Sequence, residues 1–232
     1  MKRLKYSKAL ILTVVLVVIG LQSNLYGQNE EAIKRAKQKY FSSIRYNDFG
    51  VATNAIYDLM TLEPNNASYL DSLAFLYYES NRFASAALVS NDILRFSPNN
   101  KLVLQVGAKS LEKIGAIDQS LKMYEKLYTL TDDPYTLYEI IQKQYFMKMY
   151  ADAKINSELL LGKPVVDRAT VYAQNENGNE IEIPFRAAIL NMQGLIERAQ
   201  GNEDSAKKYF NNALKIAPEY ALAKENLNPK KE

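Results

Sequence analysis

Residues 187–220 read AAILNMQGLIERAQGNEDSAKKYFNNALKIAPEY. Two apolar-periodic segments of helical length flank the breaker Gly201-Asn202, and Pro218 stops the second segment. Within this stretch Leu190, Gly194, Gly201, Ala206, Phe210, Ala213 and Pro218 alternate large, small and turn-forming side chains. A small residue such as Gly194 lets two helices of a pair approach closely; a larger one would hold them apart. One helical hairpin of this kind cannot bury its apolar face alone, so the stretch predicts neighbours of the same design.

The rest of the chain supplies them. Pro64, Pro98 and Asp132 (followed by Asp133-Pro134) recur at a spacing of 34 residues. Segments such as ASYLDSLAFLYYES and FASAALVSNDILRF carry helical periodicity. Short breakers separate them at Asn47-Asp48, Asn81-Arg82 and Gly115. Asp48, Asp118 and Asn202 stand where a helix N-cap or first-turn acid belongs, and Asp132-Asp133 where acids cap helices. Ala74 and Ala108 repeat the small residue seen at Gly194. The predicted units are 33–66, 67–100, 101–134, an irregular 134–164, and 187–220. A last segment, 219–227, keeps helical spacing at Tyr220, Ala223 and Leu227, with Lys224 and Glu225 outward, and reads as a capping helix.

On these residues the chain resembles the tetratricopeptide repeat (TPR) family over roughly 33–220. The family pattern sets a large residue at unit position 4, small at 8, turn-forming at 15, Ala at 20, aromatic at 24, Ala at 27 and Pro at 32, and 187–220 follows it. Unit 67–100 follows with Leu70, Ala74, Tyr77, Ala86 and Pro98, and unit 101–134 with Leu104, Ala108, Leu111, Gly115, Tyr124 and Leu127. Departures are Gln193 for the usual Leu, and Glu197 and Ser90 for usual aromatics. The resemblance implies an all-α solenoid of about five helical hairpins over 30–227, with a C-terminal cap helix.

It also implies a concave groove lined by the first helices of the units. Carried onto this chain, the groove positions include Lys37 and Phe41, then Phe75 and Tyr78, then Lys109, then Tyr135, Tyr138, Gln142, Tyr145 and Phe146, and finally Ala188, Asn191, Leu195, Arg198 and Ala199. The aromatic content suits an extended or helical peptide, because Tyr and Phe give contact area at low entropic cost. The Lys/Asn clamp with which some members hold a C-terminal carboxylate is not met: Lys37 is in place, but Phe41 and Ser72 replace asparagines.

One stretch breaks the period. TVYAQNENGNEIEIPF, residues 170–185, has strand alternation around Asn177-Gly178 and predicts a β-hairpin insertion over 166–185. A two-residue type I′ loop would pair Tyr172 with Ile183 and Gln174 with Ile181, giving one apolar face of Tyr172, Ile181 and Ile183. A lone hairpin is marginal in water, so that face should pack on the helices. Two roles stay open: a plug filling a gap beside the irregular unit, or a border of the groove that offers a strand edge or lid to a partner.

Composition narrows the chemistry. With 47% hydrophobic and 24% charged residues the chain is of globular type. It has no Cys, His or Trp, so thiol nucleophiles, Ser-His-Asp triads and Cys/His zinc sites are ruled out. No GxGxxG, GxxxxGK[ST] or GxSxG motif occurs. No enzyme, cofactor or metal is expected. Residues 1–27 carry Lys2, Arg3, Lys5 and Lys8, then the apolar run Ala9–Leu21, then polar residues and Gly27, the layout of a secretory signal peptide cut near Gly27–Gln28. An uncleaved N-terminal anchor is the alternative. The formal charge of +3 rests on those four basic residues, which argues against nucleic-acid binding. The sequence expectation is a periplasmic, non-catalytic scaffold for a protein or peptide. The alternative is an envelope structural or solute- or glycan-binding component that self-associates.

Overall fold

A computed structural model describes residues 28–229; the expected signal segment lies outside them. The described chain is all-α apart from one two-stranded sheet. In chain order it runs α1 (28–45), α2 (Phe49–Leu62), α3 (Ser68–Glu79), α4 (Phe83–Phe96), α5 (Lys101–Lys113), α6 (Ile117–Thr131), α7 (Pro134–Phe146) and α8 (Tyr150–Leu161). A 3-10 turn (Pro164–Asp167) leads to β1 (Thr170–Gln174) and β2 (Glu180–Pro184). Then come α9 (Phe185–Ala199), α10 (Glu203–Ile216) and α11 (Ala221–Leu227). These are five helical hairpins, a C-terminal cap helix and an inserted β-hairpin, in the TPR-like arrangement the sequence implies.

The same turn closes every hairpin. Asn47, Asn81, Gly115, Lys148 and Gly201 all have positive φ, from 55° to 84°. Each is the left-handed residue of a Schellman C-cap, in which the next N–H reaches back five residues to a carbonyl. Those bonds run from Asp48 to Ser43, Arg82 to Tyr77, Ala116 to Leu111, Met149 to Gln144 and Asn202 to Glu197, all at 2.8–2.9 Å. The start of the following helix is fixed locally too. Asp48 accepts from the Val51 N–H at 3.0 Å. Asp133, with Pro134 behind it, accepts from the Thr136 N–H at 2.7 Å. Asp132 ends α6 in the left-handed region and pairs with Lys163 at 2.6 Å.

Beyond each turn a small side chain meets the helix partner. Ala52, Ala86, Ser120, Ala153 and Ala206 occupy matched places and none is exposed to solvent. At Gly194 a Cβ would stand 2.4 Å from the Phe210 ring, itself fully buried. The glycine therefore exists to admit the ring.

The chain forms two compact units, meeting in sequence at Ile93–Leu94. In the first, Ala52, Ala55, Ile56 and Leu59 of α2 are buried with Leu73, Ala74 and Leu76 of α3. The Tyr57 and Tyr77 hydroxyls share a hydrogen bond of 2.6 Å, and Arg82 lies 4.5 Å over the Tyr77 ring. Glu63 accepts from Tyr69 and pairs with Lys37 at 3.1 Å. In the second unit the core runs from Leu104 through Ile141, Leu160 and Phe185 to Ala223.

The β-hairpin corrects the sequence reading. Val171 opposes Ile183 and Ala173 opposes Ile181, one step away from the expected pairing. The loop is not a two-residue type I′ turn on Asn177-Gly178. It spans Glu176–Gly178, and only Gly178 has positive φ, at 76°. The Gly178 N–H donates to the Asn175 carbonyl at 2.9 Å, while the Asn175 side chain accepts from the N–H groups of Asn177 and Asn179, each at 3.0 Å. The Asn175 side chain thus builds the turn, and the extra loop residue moves the register by one. Tyr172 is consequently on the outward face, 70% exposed, and Val171 and Ala173 take the inward face with Ile181 and Ile183.

Two substitutions test this account with opposite signs. Gly194→Ala should destabilise by about 1–3 kcal/mol by forcing Phe210 to move. Lys148→Gly should stabilise by roughly 1 kcal/mol by relieving a non-glycine residue in the left-handed region. Urea unfolding of both variants measures the signs; equal stability of all three chains contradicts the packing and turn assignments.

Candidate functional site

The second unit holds a cleft of about 450 Å³. Tyr138 and Gln142 of α7 line one side, Ala188, Asn191 and Leu195 of α9 the floor, and Leu222 and Glu225 of α11 the far wall. The inserted hairpin supplies Tyr172 and Gln174 of β1. Five of the ten positions implied to face a groove in the last two units, Tyr138, Gln142, Ala188, Asn191 and Leu195, share one cleft that the hairpin borders; Tyr135, Tyr145, Phe146, Arg198 and Ala199 are not among its lining residues.

Several contacts hold the hairpin there. Ile183 is 2% exposed and packs with Val171 and Ile181 on the helical core. Phe185, directly after β2, stacks on Tyr135 at 5.0 Å and meets the Tyr138 ring edge-on at 5.3 Å. The Tyr135 hydroxyl donates to the Thr170 carbonyl at 3.2 Å, and the Phe185 N–H to the Ala169 carbonyl at 2.9 Å. Arg186 pairs with Asp167 at 2.6 Å, and Lys224 of the cap helix reaches Glu176 in the loop at 3.2 Å. The hairpin is pinned at its root and its tip.

The cleft's polar groups are mostly neutral. Burial pushes the Tyr138 hydroxyl well above the ordinary tyrosine range, and the Tyr220 hydroxyl upward as well. Both stay protonated at neutral pH. Tyr138 donates to the Ala188 carbonyl at 3.4 Å. Asn191 is 1% exposed; its amide donates to the Tyr220 hydroxyl at 3.4 Å and accepts from the Asn226 amide at 2.9 Å. Asn191 therefore ties α9 to the cap helix as well as flooring the cleft. Among the described residues that line it, the only charged side chain is Glu225.

Other implied positions sit elsewhere. Phe41 is 67% exposed with its ring edge-on to Tyr40, Phe75 is 39% exposed, and Tyr78 is half-buried against Phe83. Lys37 is engaged with Glu63, and Lys109 is half-buried on α5. A second depression of about 420 Å³, between α1 and α2, is lined by Arg35, Lys39 and Asp58, of which the last two pair at 3.1 Å. It is the open flank of the first described hairpin and includes none of the implied groove residues. Sequence reasoning missed Tyr220, Leu222 and Glu225, because the cap helix reaches the cleft only through tertiary packing; a hairpin bordering the groove is one of the two roles the sequence leaves open. Among the described residues no group of three acidic, His or Cys side chains could hold a metal ion, and no helix is long and apolar enough to cross a membrane.

Two of the departures from the family pattern, Gln193 and Glu197, find polar partners on α8. Gln193 donates to the Ser157 hydroxyl at 3.3 Å. Glu197 pairs with Lys154 at 2.7 Å and accepts from Asn202 at 2.8 Å. Gln144 accepts from Asn156 at 2.9 Å. A buried Lys143 pairs with Glu112 at 2.8 Å and with Glu139, and lies 4.9 Å over the Tyr124 ring. Most of these polar side chains are partnered, which lowers the cost of burying them; the Ser90 hydroxyl and the Gln193 side-chain oxygen are buried without a hydrogen-bond partner.

Comparison with known proteins adds the fold class. No family model matches the chain, and no curated protein matches it. Solved structures do. A TPR protein from Parabacteroides merdae superposes with a TM-score of 0.68 at 16% identity, over 85% of this chain and 71% of that one. YrrB, described as a TPR protein with an unusual peptide-binding site, gives 0.68 at 13% identity, over 88% and 95%. The MamA protein gives 0.65 at 14% identity, over 88% and 98%. The chain therefore has the tetratricopeptide-repeat fold.

The Lys154 ion pair, more than the Asn202 bond, holds the Glu197 carboxyl below the usual carboxylate range against the opposing effect of burial. A depressed folded-state value stabilises above the unfolded pKa, about 4.3, and that stability is lost as pH falls through the folded value. Glu197→Gln should thus cost more stability at pH 7 than at pH 3, with the two chains converging on acidification. A pH-independent difference in urea midpoints would contradict the role given to this pair.

Proposed function

We propose that this chain is a non-catalytic scaffold that binds a protein segment, with the cleft of the second unit as its seat. The observation that carries this is the lining: aromatic rings, neutral amides and hydroxyls, and aliphatic side chains around one carboxylate. Such a surface matches a peptide, which needs apolar contact and hydrogen bonds together. The fold shared with YrrB, described as having a peptide-binding site, supports the reading. The layout of residues 1–27 supports export to the periplasm, with an N-terminal anchor as the other outcome of N-terminal sequencing.

Selection of peptides from a random twelve-residue display library on the full chain tests the binding role. Recovered peptides should lose at least tenfold in affinity to the Gln142→Arg and Leu222→Asp variants, which alter exposed walls of the cleft. Peptides indifferent to both variants, or no recovered peptide, would overturn the assignment.

A further inference from the structure

Parity along β1 decides which of its backbone groups are free. The Phe185 N–H donates to the Ala169 carbonyl and the Asn175 N–H to the Asn179 carbonyl. Both are odd-numbered positions of the same register, so Val171 and Ala173 face β2 with their N–H and C=O groups. Those of Thr170, Tyr172 and Gln174 point away from β2. The Thr170 carbonyl is taken by the Tyr135 hydroxyl of α7. That contact shows which way the free edge faces: toward α7, across the cleft that Tyr172 and Gln174 line. No described backbone group pairs with the N–H or C=O of Tyr172 or Gln174.

An unpaired strand edge is normally blunted or covered, because it templates another strand. Here it is neither a bulge nor blocked by proline, and it borders a cleft of about 450 Å³. We propose, building on the peptide-binding reading, that an extended peptide docks as a third strand on β1, through the N–H and C=O groups of Tyr172 and Gln174. Glu225 is the only charge among the described residues that line the cleft, and Glu180 and Glu182 stand on the exposed face of the hairpin. The favoured occupant is therefore an extended segment bearing a basic side chain. The backbone pairing supplies affinity, and the alternate side chains, facing Tyr138 and Leu195 or solvent, supply selectivity.

The test uses the peptides selected on the full chain, resynthesised as two sets N-methylated at odd or at even amides. Strand pairing uses every second amide, so one set should lose binding at least tenfold while the other keeps it. In the chain itself, Gln174→Pro deletes one outward N–H and leaves the ladder to β2 in place. It should weaken binding on the order of tenfold, with an unchanged melting temperature. Equal tolerance or equal sensitivity of the two methylated sets, with Gln142→Arg still abolishing binding, would sink strand addition and leave the scaffold role standing. Selected peptides that are uniformly acidic would overturn the charge assignment. Failure to select any peptide would remove both readings.

Discussion

A helix that must fold back on its neighbour needs one residue in the left-handed region, and this chain meets that need five times. Asn47, Asn81, Gly115, Lys148 and Gly201 all close a hairpin by the same pair of backbone bonds. The turn places a fully buried small side chain, Ala or Ser, at a fixed distance along the second helix. From that follow the close approach of the pair, the room for Phe210 over Gly194, and the exposure of one face of each first helix. The cleft exists because α7 and α9 present such faces within one unit.

What separates the fourth and fifth hairpins from the others is their polarity. Where the family pattern has Leu and an aromatic, this chain has Gln193 and Glu197, and the facing positions on α8 have become Ser157 and Lys154. Buried polar pairs of this kind add little net stability but penalise any other register, since a shift would orphan each member. Beside this seam the hairpin is inserted, and its Phe185 is clamped between Tyr135 and Tyr138. The insertion supplies one wall of the cleft in the second unit.

The sequence makes the repeat plain because its signals are local. A 34-residue spacing of prolines, the Asn and Gly breakers, and the small residues at Ala74, Ala108 and Gly194 all act within one hairpin. Lys148 escapes such reading, since nothing in lysine's chemistry marks a left-handed residue; only its place in the period does. The strand register was misassigned for a related reason. Asn-Gly is a strong turn signal, but the Asn175 side chain caps two N–H groups and makes a longer loop better satisfied. The groove positions Tyr138, Gln142, Ala188, Asn191 and Leu195 follow from the family resemblance. The contribution of α11 does not, because it depends on contacts between segments far apart in the chain, and that of β1 is one of the two roles the sequence leaves open for the hairpin.

The hairpin thus answers to two demands at once. Its odd-numbered residues seal the core, and its even-numbered backbone groups remain available to the cleft. Amide hydrogen exchange read residue by residue by NMR tests this division most directly. The account predicts slow exchange at Val171 and Ala173, and fast exchange at Tyr172 and Gln174 that becomes slow when a selected peptide binds. Slow exchange at Tyr172 and Gln174 in the free chain, or fast exchange there in the complex, would contradict it.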